Sequence, residues 1–290
     1  MALIRYPGSK EKLALSIMEY FPPEFTYDMW KCTSRDSFVE PFFGAGAMGF
    51  KVMSNMPPSR PVWINDIDTG MCALWQAILS DPIELCRKIE RFKPSAEAFY
   101  QFKHMDGNGE GGVIEQGFRK LVLHRLSFSG LGFKSGGPLG GKKQENAKYP
   151  VNCRWADSRM KKDIIQIHKK MRVFSDLKIT CLHFRDVLRQ VESCAFVYLD
   201  PPYYKKGAQL YKHDMTPDEH AELAEILKCG RFRWVLSYDD CDEIRALYSW
   251  ATFKPIFAKY CVGHNQIEGV RPKNNEVLII PPASECAAVA

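Results

Sequence analysis

Apolar positions along this chain follow two spacings that alternate. Short continuous runs have the length and the β-branched or aromatic content of buried strands: Phe38-Val39, Val62-Trp63-Ile64, Ala195-Phe196-Val197-Tyr198-Leu199, Trp234-Val235-Leu236-Ser237 and Glu276-Val277-Leu278-Ile279-Ile280. Lys178 to His183, closing on Phe184-Arg185-Asp186, reads as another. Between the runs, apolar residues recur three or four apart, the period of a helix with one buried face. Leu13, Ile17 and Phe21 form one such stripe; Met48, Val52 and Met56 a second; Ile67, Met71, Leu74, Trp75 and Ile78 a third. Thr216-Pro217-Asp218-Glu219 has the composition of a capping box with proline at the first helical position, ahead of Leu223, Ile226 and Leu227. Strands alternating with helices predict an α/β fold around a mostly parallel sheet.

The middle of the chain breaks the alternation. From Ser80 to about Asp176 polar helical stretches flank the turn-rich Asp106-Gly107-Asn108-Gly109-Glu110-Gly111-Gly112, and the loop from Ser129 to Asn152 is rich in Gly and Lys. The expectation is a core made of residues 1–80 and 177–290, with residues 81–176 inserted as a mainly helical subdomain. One inserted helix carries Phe118, Leu121, Val122, Arg125 and Ser129 on a shared face, and a buried arginine there must find a partner. Met160, Ile164, Ile167, His168 and Met171 read as packing, with His168 a boundary histidine. The tail Ala283 to Ala290 is expected to fray.

Composition changes this picture little but excludes much. The chain has 290 residues, 46% hydrophobic and 26% charged, the balance of a soluble globule. No apolar run approaches the roughly eighteen residues of a membrane helix, and the N-terminus has no signal-peptide core. Ten cysteines without a C-x-x-C pair argue against a disulfide scaffold and a zinc site, and for a reducing cytoplasm. The net charge of +6 leans towards a polyanionic partner.

The candidate chemistry sits at strand ends, where open α/β sheets bind ligands. Asp200-Pro201-Pro202-Tyr203 follows the Ala195 to Leu199 run, and the two prolines hold the acid and the Pro201 carbonyl in one orientation. Two acceptors beside an aromatic face suit a planar base with an exocyclic amino group; a Pro-Pro turn with a chance acid is the bland alternative. Gly44-Ala45-Gly46 ends the first strand and Gly49 follows it; a glycine turn there lets a ligand approach the backbone, and a plain tight turn is the bland alternative. Asp66 ends the next, about twenty residues on, where an acid accepts hydrogen bonds from ribose hydroxyls. It can equally be an ordinary acid at a helix start. Ser9 is placed to cap a first helix, and Lys10 at that helix start hints at an anionic partner such as a carboxylate.

Five segments in order resemble a known family: Arg5-Tyr6-Pro7-Gly8-Ser9-Lys10, Phe38-Val39-Glu40-Pro41-Phe42-Phe43-Gly44-Ala45-Gly46, Asn65-Asp66, His124-Arg125-Leu126-Ser127-Phe128-Ser129-Gly130 and Asp200-Pro201-Pro202-Tyr203. Together they are similar to Dam-type adenine-N6 DNA methyltransferases, from residue 5 to about residue 280. The resemblance implies a class I methyltransferase (Rossmann-like) sheet, S-adenosylmethionine across the strand ends, and double-stranded DNA as substrate. It implies that Tyr6 and Lys10 contact the cofactor region, that Phe43, Gly44 and Gly46 cradle its methionine part, that Asp66 holds its ribose, and that Phe184 brackets its adenine. Asp200 stands at both the cofactor and the target. Tyr6 departs from the tryptophan of Dam itself, and the recognition loop does not match, which leaves the target sequence open.

The residues agree with that chemistry. Asp200 and the Pro201 carbonyl can accept the two hydrogens of an adenine amino group and expose its lone pair, Pro202 stiffens the tip, and Tyr203 is placed to stack on a base turned out of the duplex. No Pro-Cys pair offers the nucleophile that cytosine C5 methylation needs. Cytosine N4 or RNA adenine are rival substrates, and a non-catalytic DNA-binding protein on the same fold is a rival of another class. In the inserted segment Arg125, Lys134, Lys142, Lys143, Gln144, Asn146 and Arg154 are the candidate DNA contacts, although Arg125 also fits a structural pair. Lysines on a glycine loop suit phosphate contact, so short or relaxed target recognition is expected, by a monomer that needs no metal, from a bacterial or phage source.

Overall fold

The computed structural model describes residues 3–4, 10–25, 36–205, 207–256 and 276–282. In chain order the elements before the insertion are α1 (Ala14–Met18), β1 (Phe38–Glu40), α2 (Gly49–Met53), β2 (Val62–Asn65) and α3 (Thr69–Ser80). The inserted segment supplies α4 (Pro82–Arg91), α5 (Ala96–Met105), α6 (Val113–Leu126) and α7 (Asp157–Arg172). Then come β3 (Leu177–Thr180), α8 (Phe184–Leu188), β4 (Phe196–Leu199), α9 (Gly207–Leu210), α10 (Pro217–Cys229), β5 (Arg233–Asp239), α11 (Asp242–Leu247), β6 (Thr252–Pro255) and β7 (Glu276–Ile280). The sheet order is β3-β2-β1-β4-β5-β7-β6, with the first five strands parallel and β7 antiparallel to both β5 and β6.

The sheet is covered on both faces, which is why its central strands read as unbroken apolar runs. In β4, Phe196 and Tyr198 pack on one face with Phe38, Ile64 and the inserted helices, while Val197 and Leu199 face Trp234, Leu236, Val187 and Leu223 on the other. The chain winds outward from β1 to β2 and β3, then returns to place β4 on the opposite side of β1. The gap between the carboxyl ends of β1 and β4 is therefore the switch point at which doubly wound sheets bind ligands.

The inserted helices share the core of the sheet face they cover. Leu85, Ile89, Phe99, Phe118, Leu121, Met160 and Ile164 belong to one buried cluster with Phe38, Val62 and Ile64. His168 sits at the boundary as expected, its Nδ1 2.9 Å from the Ile78 carbonyl. The capping box forms: Thr216 and Glu219 exchange hydrogen bonds at the start of α10.

Four local expectations shift. Helix α3 begins at Thr69 because the Asp68 carboxylate accepts from the Gly70 and Met71 amides, so Ile67 lies outside the helix and is 41% exposed. Helix α6 ends at Leu126, and Ser129 leaves its face with φ 56°. Strand β3 stops at Thr180, because the Asn65 side chain takes the Leu182 amide and carbonyl. Ile226 is only half-buried. The proposed Ser9 cap and the tail from Ala283 lie outside the described residues.

Candidate active site

The switch-point pocket is lined by Lys10, Glu40, Phe42, Phe43, Gly44, Ala45, Asp66, Ile67, Asp68, Asp200, Pro202 and the segment Tyr211-Lys212-His213, among others. Four acids from three strand ends meet here. Buried polar bonds hold the ends in register: the Asn65 amide donates to the carbonyls of Pro41 and Leu182, joining the tips of β1, β2 and β3.

Asp200 is the best-defined member. Its Oδ1 accepts from Lys10 Nζ at 2.7 Å and from Ser237 Oγ at 2.8 Å, and the Tyr198 hydroxyl lies 3.0 Å from that serine. Among the described residues Oδ2 takes no hydrogen bond, and the side chain keeps 21% exposure. Lys10 itself is 2% exposed and also donates to the Tyr203 hydroxyl at 3.0 Å, which in turn donates to Glu276 at 2.5 Å. Burial alone would lower the Lys10 pKa, but the Asp200 and Glu276 carboxylates outweigh it, so the ammonium stays charged. The carboxylate partner hinted at by the sequence is Asp200.

Glu40, the last residue of β1, went unnoticed in the sequence although it too is an acid at a strand tip. It is 2% exposed, and its Oε2 has no hydrogen-bond partner among the described residues. Burial first and the nearby Asp200 charge second hold its carboxyl well above the usual range. The third glycine of this turn, Gly49, has its explanation here, because a Cβ there would collide with the Glu40 carboxylate and the Phe43 ring.

Asp66 reaches back to the glycine turn. Its oxygens accept from the Gly44 amide at 2.7 Å and the Asp68 amide at 2.9 Å. Burial, with the neighbouring Asp68 charge second, pushes its pKa up to about 6. Asp68 is pulled the other way: burial raises it, but Lys120 at 2.5 Å more than compensates and lowers it to about 2. The turn is braced from behind by Trp75 Nε1, which donates to the Gly44 carbonyl at 3.0 Å. Gly44 and Gly46 both need positive φ, at 49° and 73°. Gly46 faces its own packing, since a Cβ there would meet the rings of Phe43 and Phe50 within 2.7 Å. It lies outside the pocket lining.

Other expected contacts fall differently. Phe184 is 4% exposed and packs behind Phe42, ring centroids 5.6 Å apart, so Phe42 and not Phe184 lines the pocket. Tyr203 is 8% exposed, with its hydroxyl engaged and its ring 5.0 Å from Lys10 Nζ, a poor platform for a stacked base. Pro201 is buried and Pro202 lines the pocket. Tyr6 lies outside the described residues. Sequence reasoning also missed Ser237, Glu276 and Tyr211-Lys212-His213; a serine ending the Trp234 run was the one visible signal.

The expected DNA contacts lie apart from this pocket. Lys134, Lys142, Lys143 and Asn146 are exposed, Asn146 with φ 62°. Lys142 and Lys143 line a second groove with Ser95, Glu97 and Asn152. Gln144 lines it too, but its amide donates to the Leu139 and Gly141 carbonyls and accepts from the Val151 amide, so it braces the loop. Arg125 and Arg154 are half-buried. The glycine loop is tethered, with Leu139 bonded back to Leu126 and Lys103 Nζ to the Ser135 carbonyl. Among the described residues no group of three His, Cys, Asp or Glu side chains could hold a metal, and no helix is long and apolar enough to cross a membrane.

Comparison with known proteins bears on what these strand tips do. The sequence pattern of the D12 class N6 adenine-specific DNA methyltransferases matches residues 6–261. The type II methyltransferase M1.LlaDCHI of Lactococcus lactis subsp. cremoris is 24% identical over 206 residues, which cover 69% of this chain and 64% of that protein, just under two thirds of its length. The type II methyltransferase M.MjaIII of Methanocaldococcus jannaschii is 22% identical over 292 residues, covering 92% of this chain and 95% of that one. A pattern that takes in the first strand tips, the insertion and the Asp200 tip alike makes this chain a member of the D12 class N6 adenine-specific DNA methyltransferase family.

Proposed function

We propose that the chain transfers a methyl group from S-adenosylmethionine to the N6 amino group of an adenine turned out of duplex DNA. The observation that carries this reading is the asymmetry of Asp200: one oxygen is fixed by Lys10 and Ser237, the other is open to the pocket. An adenine amino group is a poor nucleophile because its lone pair is delocalised into the ring. A pre-aimed acceptor at Oδ2, acting with the carbonyl of the next residue, Pro201, draws on both N–H bonds and frees the lone pair without reorganisation.

The pocket suits the cofactor by its charges. The buried Glu40 Oε2 offers an acceptor for an ammonium group, Asp66 offers acceptors for ribose hydroxyls, and Phe42 offers a face for the adenine. When bound, the cofactor supplies a methyl group already activated by its sulfonium. Lys10 keeps Asp200 oriented, and the proton that the amino nitrogen releases as it gains the methyl group passes to Asp200 Oδ2.

Residues 81–176 are assigned to the duplex, with Lys134, Lys142 and Lys143 on phosphates. With Gln144 engaged inside its own loop, Asn146 and the half-buried arginines are left to read base edges, which favours a short or relaxed target. A random duplex pool, methylated to low extent, tests both parts. Nucleoside analysis is expected to give N6-methyladenine; N4-methylcytosine or no product would overturn the assignment. Sequencing the methylated positions is expected to show many contexts, and confinement to one site of about four or more fixed bases would end the relaxed reading alone.

A further inference from the structure

The wall of the pocket opposite the strand tips is the segment Tyr211-Lys212-His213, and its anchor comes from the insertion. Lys212 Nζ lies 2.8 Å from Asp106 Oδ2 and 3.1 Å from the Asp106 carbonyl, at the carboxyl end of α5. Gly107, with φ 86°, is what admits it: a Cβ there would lie 2.6 Å from the ammonium. Asp106 is shared with Lys120 of α6, 3.4 Å away and 2% exposed, and Lys120 pairs with Asp68 at 2.5 Å. Asp68 donates its amide to Asp66, and Asp66 holds the Gly44 amide. Lys212 also stands 5.2 Å over the ring of Phe133, in the Gly132–Lys134 turn of the glycine loop, and Lys103 Nζ lies 5.6 Å from the same ring.

We propose that Lys212 is a positioning residue by which the inserted segment builds one wall of the reaction pocket, seating Tyr211 and His213 through its bonds to Asp106 and linking that wall to the Phe133 loop. The inserted segment then does more than grip a duplex: its Asp106 completes the chamber. The charge is needed in this place because a lone ammonium at the rim of a pocket lined by four acids would otherwise turn inward and neutralise an acid the cofactor needs. Held outward by Asp106 and Phe133, it leaves Glu40, Asp66 and Asp200 facing the pocket. This rests on the reading that S-adenosylmethionine occupies that pocket.

The test is a kinetic split in the intact protein. Lys212→Met keeps the length and the contact with Phe133 but removes the bonds to Asp106, which retains Lys120 as partner, so the fold should persist. Lys212→Met and Asp106→Asn are each expected to raise KM for the cofactor and lower kcat by about tenfold, with duplex affinity in the absence of cofactor changed less than about twofold. The double variant is expected to lose less than the sum of the two single changes, since both remove the Lys212–Asp106 bond. Lys212→Arg, which keeps the charge, should recover part of the loss, and it carries the same reading if Lys212→Met is recovered unfolded. Unchanged cofactor KM and kcat in both single variants, or losses that add fully, would overturn the proposal. Wild-type protein with no transferase activity at all would instead overturn the function on which it rests.

Discussion

Two lysine–aspartate pairs, each with a buried lysine and an aspartate that lines the pocket, serve different ends. Lys10 and Lys120 are each 2% exposed and each lies within 2.7 Å of a carboxylate oxygen. In the Lys120 pair both oxygens of Asp68 are engaged, Oδ2 by the ammonium and Oδ1 by the first amides of α3, and its side chain is 8% exposed. In the Lys10 pair the lysine and Ser237 share Oδ1 of Asp200, and Oδ2 stays open with the side chain at 21%. The same two residue types thus give a saturated joint in one place and a half-satisfied acceptor in the other. What separates them is the count of donors reaching each carboxylate. A carboxylate fixed through one oxygen and open at the other is an acceptor already aimed for a ligand, and that opening is what marks a site.

The comparison breaks most visibly at the saturated pair. Lys120→Met should cost about 3–5 kcal/mol of stability by leaving Asp68 buried and unpaired, read as a shift in the urea midpoint at unchanged slope. A loss below about 1 kcal/mol would show that the joint is not structural.

Asp66 sharpens it next, because its carboxylate is shared between the two pairs' territories. Asp66→Ala should weaken cofactor binding by about 1.5–3 kcal/mol in titration calorimetry. With the pKa at about 6, the ionised acceptor is lost on acidification, so wild-type cofactor affinity should fall as pH drops from 7 to 5. Stability moves the other way. The folded pKa lies above the unfolded value of about 3.9, so this group's contribution is fully present below about pH 4 and is lost as pH rises through about 6. An affinity that stays flat from pH 7 to 5 would return Asp66 to a purely structural role. Smallest is the effect of Lys142→Ala with Lys143→Ala, which should weaken all duplexes alike and lower the salt slope by about one per lysine, leaving kcat unchanged. A sequence-dependent loss would make them base readers.

How much of this was legible in the sequence depends on the range of the interactions involved. The sheet was readable because β1, β2, β4, β5 and β7 are buried runs, and period and length suffice for those. β6 was not, since Thr252-Phe253-Lys254-Pro255 is a half-buried edge strand with neither alternation nor an apolar run. The acids at the tips of β2 and β4 were found by their position, and Glu40 could have been found by the same rule. Lys10 was readable only as a cation in want of an anion; that the anion lies 190 residues away is a fact of topology. Residue type alone does not show that Phe184 packs behind Phe42, or that Gly46 falls outside the lining of this pocket. Glu276, Lys212 and Asp106 carried no local signal, because each acts through a partner distant in sequence.

The central claim is that the open oxygen of Asp200 does the work at the amino group, and Asp200→Asn tests it most directly. The change keeps the size of the side chain and one acceptor oxygen but puts a donor where the other acceptor stood. Single-turnover methylation at saturating cofactor should slow by a factor on the order of 10²–10³, the range for losing one pre-aimed electrostatic contact, with duplex affinity nearly unchanged. A single-turnover rate close to wild type would contradict it.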